Sequence, residues 1–138
     1  ALAKVDIHAL AHITGGGLTE NIPRVIPDGL SVEIDLHAWR LPALFTWLRD
    51  AGQVATDEML KTFNCGIGMV VVVAPEDVEA VSAVLSEAGE EVCRLGSVCD
   101  GGAGVAPSAR SSANSRRRRR LSTGACRSHR KSGWSAPS

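Results

Sequence analysis

Tyrosine is absent, and the chain holds only two phenylalanines and three tryptophans among 138 residues. With so few rings, the core has to be assembled mainly from Val, Leu, Ile and Ala. No apolar run approaches the ~20 residues of a membrane helix, and the longest, residues 67–74, has the length of a strand. The opening Ala-Leu-Ala-Lys-Val-Asp is not a signal peptide, because charges interrupt it before an apolar segment develops. An initiator methionine is lacking too, so the left end is expected to be a cut through a longer chain. Cysteine pairs of the CxxC kind are missing: Cys65, Cys93, Cys99 and Cys126 lie far apart. That spacing argues against a zinc ribbon and gives no disulfide framework, which leaves a reducing cytosol as the expected location.

One further absence divides the chain. Residues 101–138 contain nine Lys/Arg and no acid, whereas residues 1–100 contain six Lys/Arg and fifteen Asp/Glu. A body of net charge −9 is thus followed by a tail of +9. By length the chain is one domain at most, expected at residues 1–100. Residues 101–138 are expected to be an unordered Arg/Ser-rich tail.

Local signals in the body agree with one another. Residues 31–36 alternate polar and apolar, as a half-buried strand does. Leu41, Leu44, Phe45 and Leu48 fall on one face of a helix, with Pro42 in its first turn and Gly52 as its stop. Thr56, followed by two acids, is expected to cap a second short helix. Residues 66–74 form a β-branched run that suits a strand covered on both faces. Pro75 begins another helix, with Val78, Val81 and Leu85 on one side and Gly89 closing it. Residues 91–98 make a last, weaker strand. Helices alternating with strands in this way predict an α/β (α+β) fold, helices packed on a mixed sheet.

Two segments are candidates for chemistry. The first is residues 11–24, Ala-His-Ile-Thr-Gly-Gly-Gly-Leu-Thr-Glu-Asn-Ile-Pro-Arg. Three consecutive glycines permit unusual backbone angles and let a ligand approach the main chain. Thr19 can cap the short helix that follows, and free N–H groups at a helix start attract anions. Arg24 adds a charge-assisted bond to phosphate. The same run also reads as a plain turn. Imidazole is a side chain suited to proton transfer, which makes His12 a candidate, or it is simply a satisfied histidine. His8 and His12 are four apart, but HExxH is absent and no acid stands at ligand spacing, so no metal site is expected. The second segment is residues 62–69, where Asn64 and Gly66 lead into the β-branched run. Such a turn presents an amide and backbone groups at a sheet end, where ligands of α/β folds bind, or it is a corner fitted with glycines. Cys65 has no activating neighbour and reads as a buried structural thiol.

Residues 12–18, 20–24 and 63–69, together with Trp47-Leu48 at the end of the stretch from Trp39, resemble the C-terminal half of AIR synthetase. That family is phosphoribosylformylglycinamidine cyclo-ligase, of purine biosynthesis. The resemblance covers residues 1–98 and implies an ATP-dependent and Mg²⁺-dependent ring closure. The formyl amide oxygen of formylglycinamidine ribonucleotide (FGAM) is activated as an imino-phosphate, and the amidine nitrogen then closes the imidazole. By the resemblance, His12 polarises or deprotonates the substrate amide. Thr14, Gly15, Gly16 and Gly17 line the substrate pocket and Asn64 faces it, with Asn21, Arg24 and Gly66 also at the substrate. The family's N-terminal domain, which carries most ATP and metal contacts and builds a homodimer, has no counterpart here. GxxxxGK[ST] is absent as well. The chain alone is therefore expected to be inactive.

Other ATP-dependent enzymes of the same superfamily remain as alternatives. So does a non-catalytic binding module whose basic tail recruits nucleic acid. Five adjacent arginines, Arg116 to Arg120, would make salt-dependent phosphate contacts. The tail equally has the composition of an accidental reading frame in GC-rich DNA. Its only aliphatic residues beyond alanine are Val105 and Leu121.

Overall fold

The computed structural model describes residues 5–102 and 104–107 and, for the backbone alone, residues 121–123. Strand β1 (Ile7–His12) leads through the glycine loop into the short helix α1 (Gly17–Asn21) and a 3₁₀ turn, Pro23–Val25. Strand β2 (Leu30–Ile34) is followed by α2 (Ala43–Gly52) and α3 (Thr56–Thr62). Then come β3 (Met69–Val73), a 3₁₀ turn at Pro75–Asp77, α4 (Val78–Glu87), β4 (Gly96–Asp100), β5 (Gly104–Pro107) and β6 (Leu121–Thr123). The strands form one mixed sheet in the order β1-β3-β6-β4-β2-β5. β5 joins β2 in parallel, and the other pairings are antiparallel.

β3 is the strand the sequence marks most strongly, and it is covered on both faces. Val70 and Val72 belong to the larger core cluster, with Leu18 and Ile22 at α1 and Met59 and Leu60 of α3. Val71 and Val73 face the other way, against Val78 and Val81 of α4. Fully burying a side chain of this size stabilises by about 1.5 kcal/mol or more, so four consecutive buried valines make β3 the centre of the fold. The acids Glu76, Asp77 and Glu79 crowd the start of α4, where the helix dipole favours negative charge.

β1 is the element that sequence patterning does not reveal. A register shift between Ile7 and Ala9, opposite Val73 and Val72, interrupts its pairing with β3. Ile7 packs with the smaller cluster and Ala9 and Ala11 with the larger one. The bulged His8 absorbs the extra residue. Burial still alternates along the six residues, but two of the three less exposed positions are alanines and Leu10 is 53% exposed, so the strand is not marked by its apolar residues.

Several boundaries differ from expectation by a residue or more. Pro42 stands at the N-cap of α2 rather than inside its first turn. That helix runs through Gly52 and stops at Gln53, which takes the left-handed conformation (φ 49°) itself. Ala55, not Thr56, occupies the N-cap of α3, and Gly16 caps α1 while Thr19 lies inside it. The last body strand begins at Gly96 rather than 91. The sheet also continues beyond residue 100. Val105 in β5 packs against the larger cluster, and β6 lies between β3 and β4. Val105 and Leu121, the two aliphatics of the basic stretch, are thus both in strands. Residues 108–120 and 124–138, including Arg116 to Arg120, lie outside the described residues. No helix among the described residues is long and apolar enough to cross a membrane.

Candidate functional site

The two candidate segments meet at one end of the β1/β3 pair. His12 ends β1 opposite Met69, which begins β3. One residue further on, the Ile13 N–H donates to the Gly68 carbonyl at 3.0 Å. This bond ties the start of the glycine loop to the end of the second loop. A second clasp lies behind it. Gly17 has φ +56°, and a Cβ there would run into the Leu60 carbonyl oxygen and approach that of Phe63 to 2.7 Å. Only a residue without a side chain lets the start of α1 lie against the last turn of α3.

The first loop is held from within. Gly17 N–H donates to Thr14 O at 3.0 Å. The amide nitrogen of Asn21 donates to Gly17 O at 2.8 Å and Gly15 O at 3.1 Å, and lies 3.5 Å from Thr14 O. Asn21 is 5% exposed and is the one buried polar side chain of the described residues. Its Oδ1 accepts from Arg24 Nη1 at 3.4 Å. The structure therefore turns Asn21 towards the loop's own carbonyls, a role the sequence reading did not assign. His12, Thr14, Gly15 and Arg24 are exposed around it. The Glu20 carboxylate folds back over Gly16, with Oε2 2.7 Å from the point a Cβ there would occupy.

The second loop is held as firmly. Asn64 Oδ1 accepts from Gly66 N–H at 3.0 Å, and Asn64 O accepts from Ile67 N–H at 2.9 Å. Trp39 Nε1 donates to Cys65 O at 3.0 Å. Gly66 (φ +93°) is covered by the Pro42 ring, whose Cγ would lie 2.6 Å from an added Cβ. Gly66 thus serves the packing of α2 onto this loop, and Asn64 is the half-buried polar side chain at its tip. Cys65 is 1% exposed, donates to Met59 O at 3.4 Å, and has its thiol pushed up by burial to about 11. A neutral buried thiol is no nucleophile.

Among the described residues, no group of three or more His, Cys, Asp or Glu is placed to hold a metal ion. His8 lies 3.7 Å from the exposed Asp6. The site is a rigid backbone platform bearing one exposed imidazole, one hydroxyl, one guanidinium and one carboxamide. Side chains of these types have the chemistry to bind a polar ligand and to move a proton.

Comparison with known proteins bears on the same residues. Residues 1–107 match the model of the family described as AIR synthase related protein, C-terminal domain. The chain belongs to that family. Its match extends past residue 98, where the sequence resemblance ends, and takes in β5. Over 96 residues it is 59% identical to a phosphoribosylformylglycinamidine cyclo-ligase of Neisseria meningitidis serogroup C, covering 70% of this chain and 28% of that protein. Over 98 residues it is 58% identical to the protein of the same name from Neisseria gonorrhoeae, covering 71% and 28%. The chain thus spans little more than a quarter of the length of these relatives. The mixed α and β sheet of this AIR synthase related domain is the fold class expected from the sequence.

Two tests follow from the loop geometry. Gly17→Ala is expected to lower the unfolding free energy by about 3 kcal/mol, because a Cβ meets backbone at a positive φ. Gly15→Ala, with open space around it, should change it by less than about 0.5 kcal/mol. Urea denaturation of the two variants measures the contrast, and equal losses would refute the clasp. The Cys65 thiol supplies the second test. It ionises at about 11 in the folded chain but near its ordinary 9.0 when unfolded, so the unfolded state releases the proton first. Stability should be indifferent to this group below pH 9 and fall as the pH rises from 9 towards 11. The urea midpoint of the wild type should drop over that range by more than that of Cys65→Ala.

Proposed function

We propose that this chain supplies the C-terminal portion of a phosphoribosylformylglycinamidine cyclo-ligase, which closes the imidazole ring of FGAM at the expense of ATP to give aminoimidazole ribonucleotide. The observation that carries the reading is the junction of the two loops. The segments sharing the family's motifs are far apart in sequence, yet the Ile13–Gly68 bond and the Gly17 clasp bring them to one edge.

In this reading His12, exposed where β1 ends, polarises or deprotonates the formyl amide of the substrate. A neutral imidazole can take the proton that the amide or amidine nitrogen loses as the ring closes. Thr14, Gly15 and Gly16 form the floor on which the substrate rests, with Gly17 buried behind them, and Asn64 approaches it from the second loop. Arg24, outside the loop and supported on Asn21, meets the substrate phosphate. Gly66 and Asn21 act behind this surface. ATP and Mg²⁺ are assigned to the portion of the relatives that this chain does not span. Among the described residues no cluster of His, Cys, Asp or Glu is placed to hold the metal. The pocket is completed across the junction with that portion, as is the dimer.

The test is ATP-dependent ring closure of FGAM by this chain, alone and mixed with a separately expressed N-terminal portion of a Neisseria relative. Turnover is expected only in the mixture. In the mixture, His12→Ala should reduce kcat by about 100-fold or more, the scale of a lost general acid or base. Full turnover by His12→Ala removes the catalytic assignment. No turnover in the mixture, with the chain shown to be folded, removes the proposed activity.

A further inference from the structure

We infer that Asn21 is the positioning residue of the glycine loop, and that it aims the N–H groups of Gly15 and Gly16 outward. The inference rests on the substrate reading above only for what those groups meet. The aim itself follows from the hydrogen bonds. One amide nitrogen has three carbonyls gathered round it, at 2.8 Å from Gly17 O, 3.1 Å from Gly15 O and 3.5 Å from Thr14 O. A trans peptide unit is planar, with its C=O and N–H pointing in opposite directions. Drawing the carbonyls of Thr14 and Gly15 inward therefore turns outward the N–H of the next residue in each unit, Gly15 and Gly16. The Gly17 carbonyl belongs to α1, and the Leu18 that follows it is fully buried. The remaining unit of the loop is fixed the other way, since the Gly17 N–H is spent on Thr14 O.

Asn21 suits this work because of where it stands. It closes α1, so its backbone is fixed four residues beyond Gly17 on the same short helix. It is buried, so water does not compete for its amide. Arg24 Nη1 at Oδ1 fixes which end of the amide faces the loop: Oδ1 is the acceptor, so the nitrogen must face the carbonyls. Without the carboxamide, three carbonyls lose their shared partner and the glycines have no side chains to hold them in one conformation.

The donors so presented suit a ligand rich in acceptor oxygens, and among the groups of FGAM that is the formyl amide or the hydroxyl-bearing ribose rather than the dianionic phosphate. The Glu20 carboxylate beside Gly16 opposes a dianion at that spot. Phosphate falls instead to Arg24, on the outer side of Asn21.

The experiment is ¹⁵N NMR on the full chain, with and without FGAM, for the wild type, Asn21→Ala and Asn21→Ser. In the wild type, Gly15 and Gly16 should be as ordered as β3, with order parameters of about 0.85, and their amides should shift on adding FGAM. In Asn21→Ala, those two should fall below about 0.6 while Val70 to Val73 keep their order. FGAM affinity should weaken about tenfold if the loop is then competent a tenth of the time. Asn21→Ser, which keeps one donor, should fall between, and it carries the test if the alanine variant does not fold. An ordered, FGAM-responsive loop in either variant overturns the inference. A wild-type loop that is ordered but silent to FGAM, and loosens in Asn21→Ala, upholds the aim of the loop and overturns the substrate reading instead.

Discussion

The absence of a side chain at residue 17 sets how closely α1 can approach the end of α3. A Cβ there would collide with backbone carbonyls, which cannot swing aside as the tip of a flexible side chain can. The contact therefore fixes a distance between two main chains, not merely between two surfaces. Everything around the site is built on that distance. Leu18, directly after Gly17, is fully buried with Met59 and Leu60 of α3. Asn21 reaches back to the loop because α1 starts where it does. The second loop leaves α3 immediately after Phe63, the residue whose carbonyl Gly17 faces.

The sheet supplies the second dimension of this arrangement. β1 and β3 are antiparallel, so the end of one strand lies beside the beginning of the other. Whatever follows β1 must then neighbour whatever precedes β3. The bulge near His8 matters here, since without it the strand would present Ala9 and Ala11 to the wrong face. The valine strand is anchored on both faces by the two clusters, and it carries the clamp at Gly68 with it. A stable core thus ends, one residue beyond β1 and one before β3, in two loops with little freedom left.

That rigidity has a chemical meaning. Backbone N–H groups can stabilise a polar ligand strongly only if they point at it before it arrives. Glycines cannot provide such order by themselves, because they lose more conformational freedom on folding than any other residue. The order is imported from a buried carboxamide and from packing against α3. The exposed His12, Thr14 and Arg24 are then displayed around a surface that does not have to be remade on binding. The chain spans just over a quarter of the length of the cyclo-ligase relatives it matches.

Much of this was legible in the residues. The valine run, the Pro75 helix start and the two glycine-bearing segments are local signals, because periodicity, proline and glycine act over a few residues. The family motifs at residues 12–24 and 63–69 were legible for the same reason. β1 was not, since alanines fill two of its buried or half-buried positions and its leucine, Leu10, is exposed. Nor was the place of Val105, whose strand is defined only by its pairing with β2. The roles of Asn21 and Gly66 were visible as residue types but not as directions. A carboxamide in a motif can face a ligand or its own loop, and a glycine can open a surface or admit a proline ring. Residue types and their local patterning are enough to mark the core strands and the two candidate segments. The direction in which each polar group points is a tertiary property, because it is set by hydrogen bonds and close approaches between segments distant along the chain.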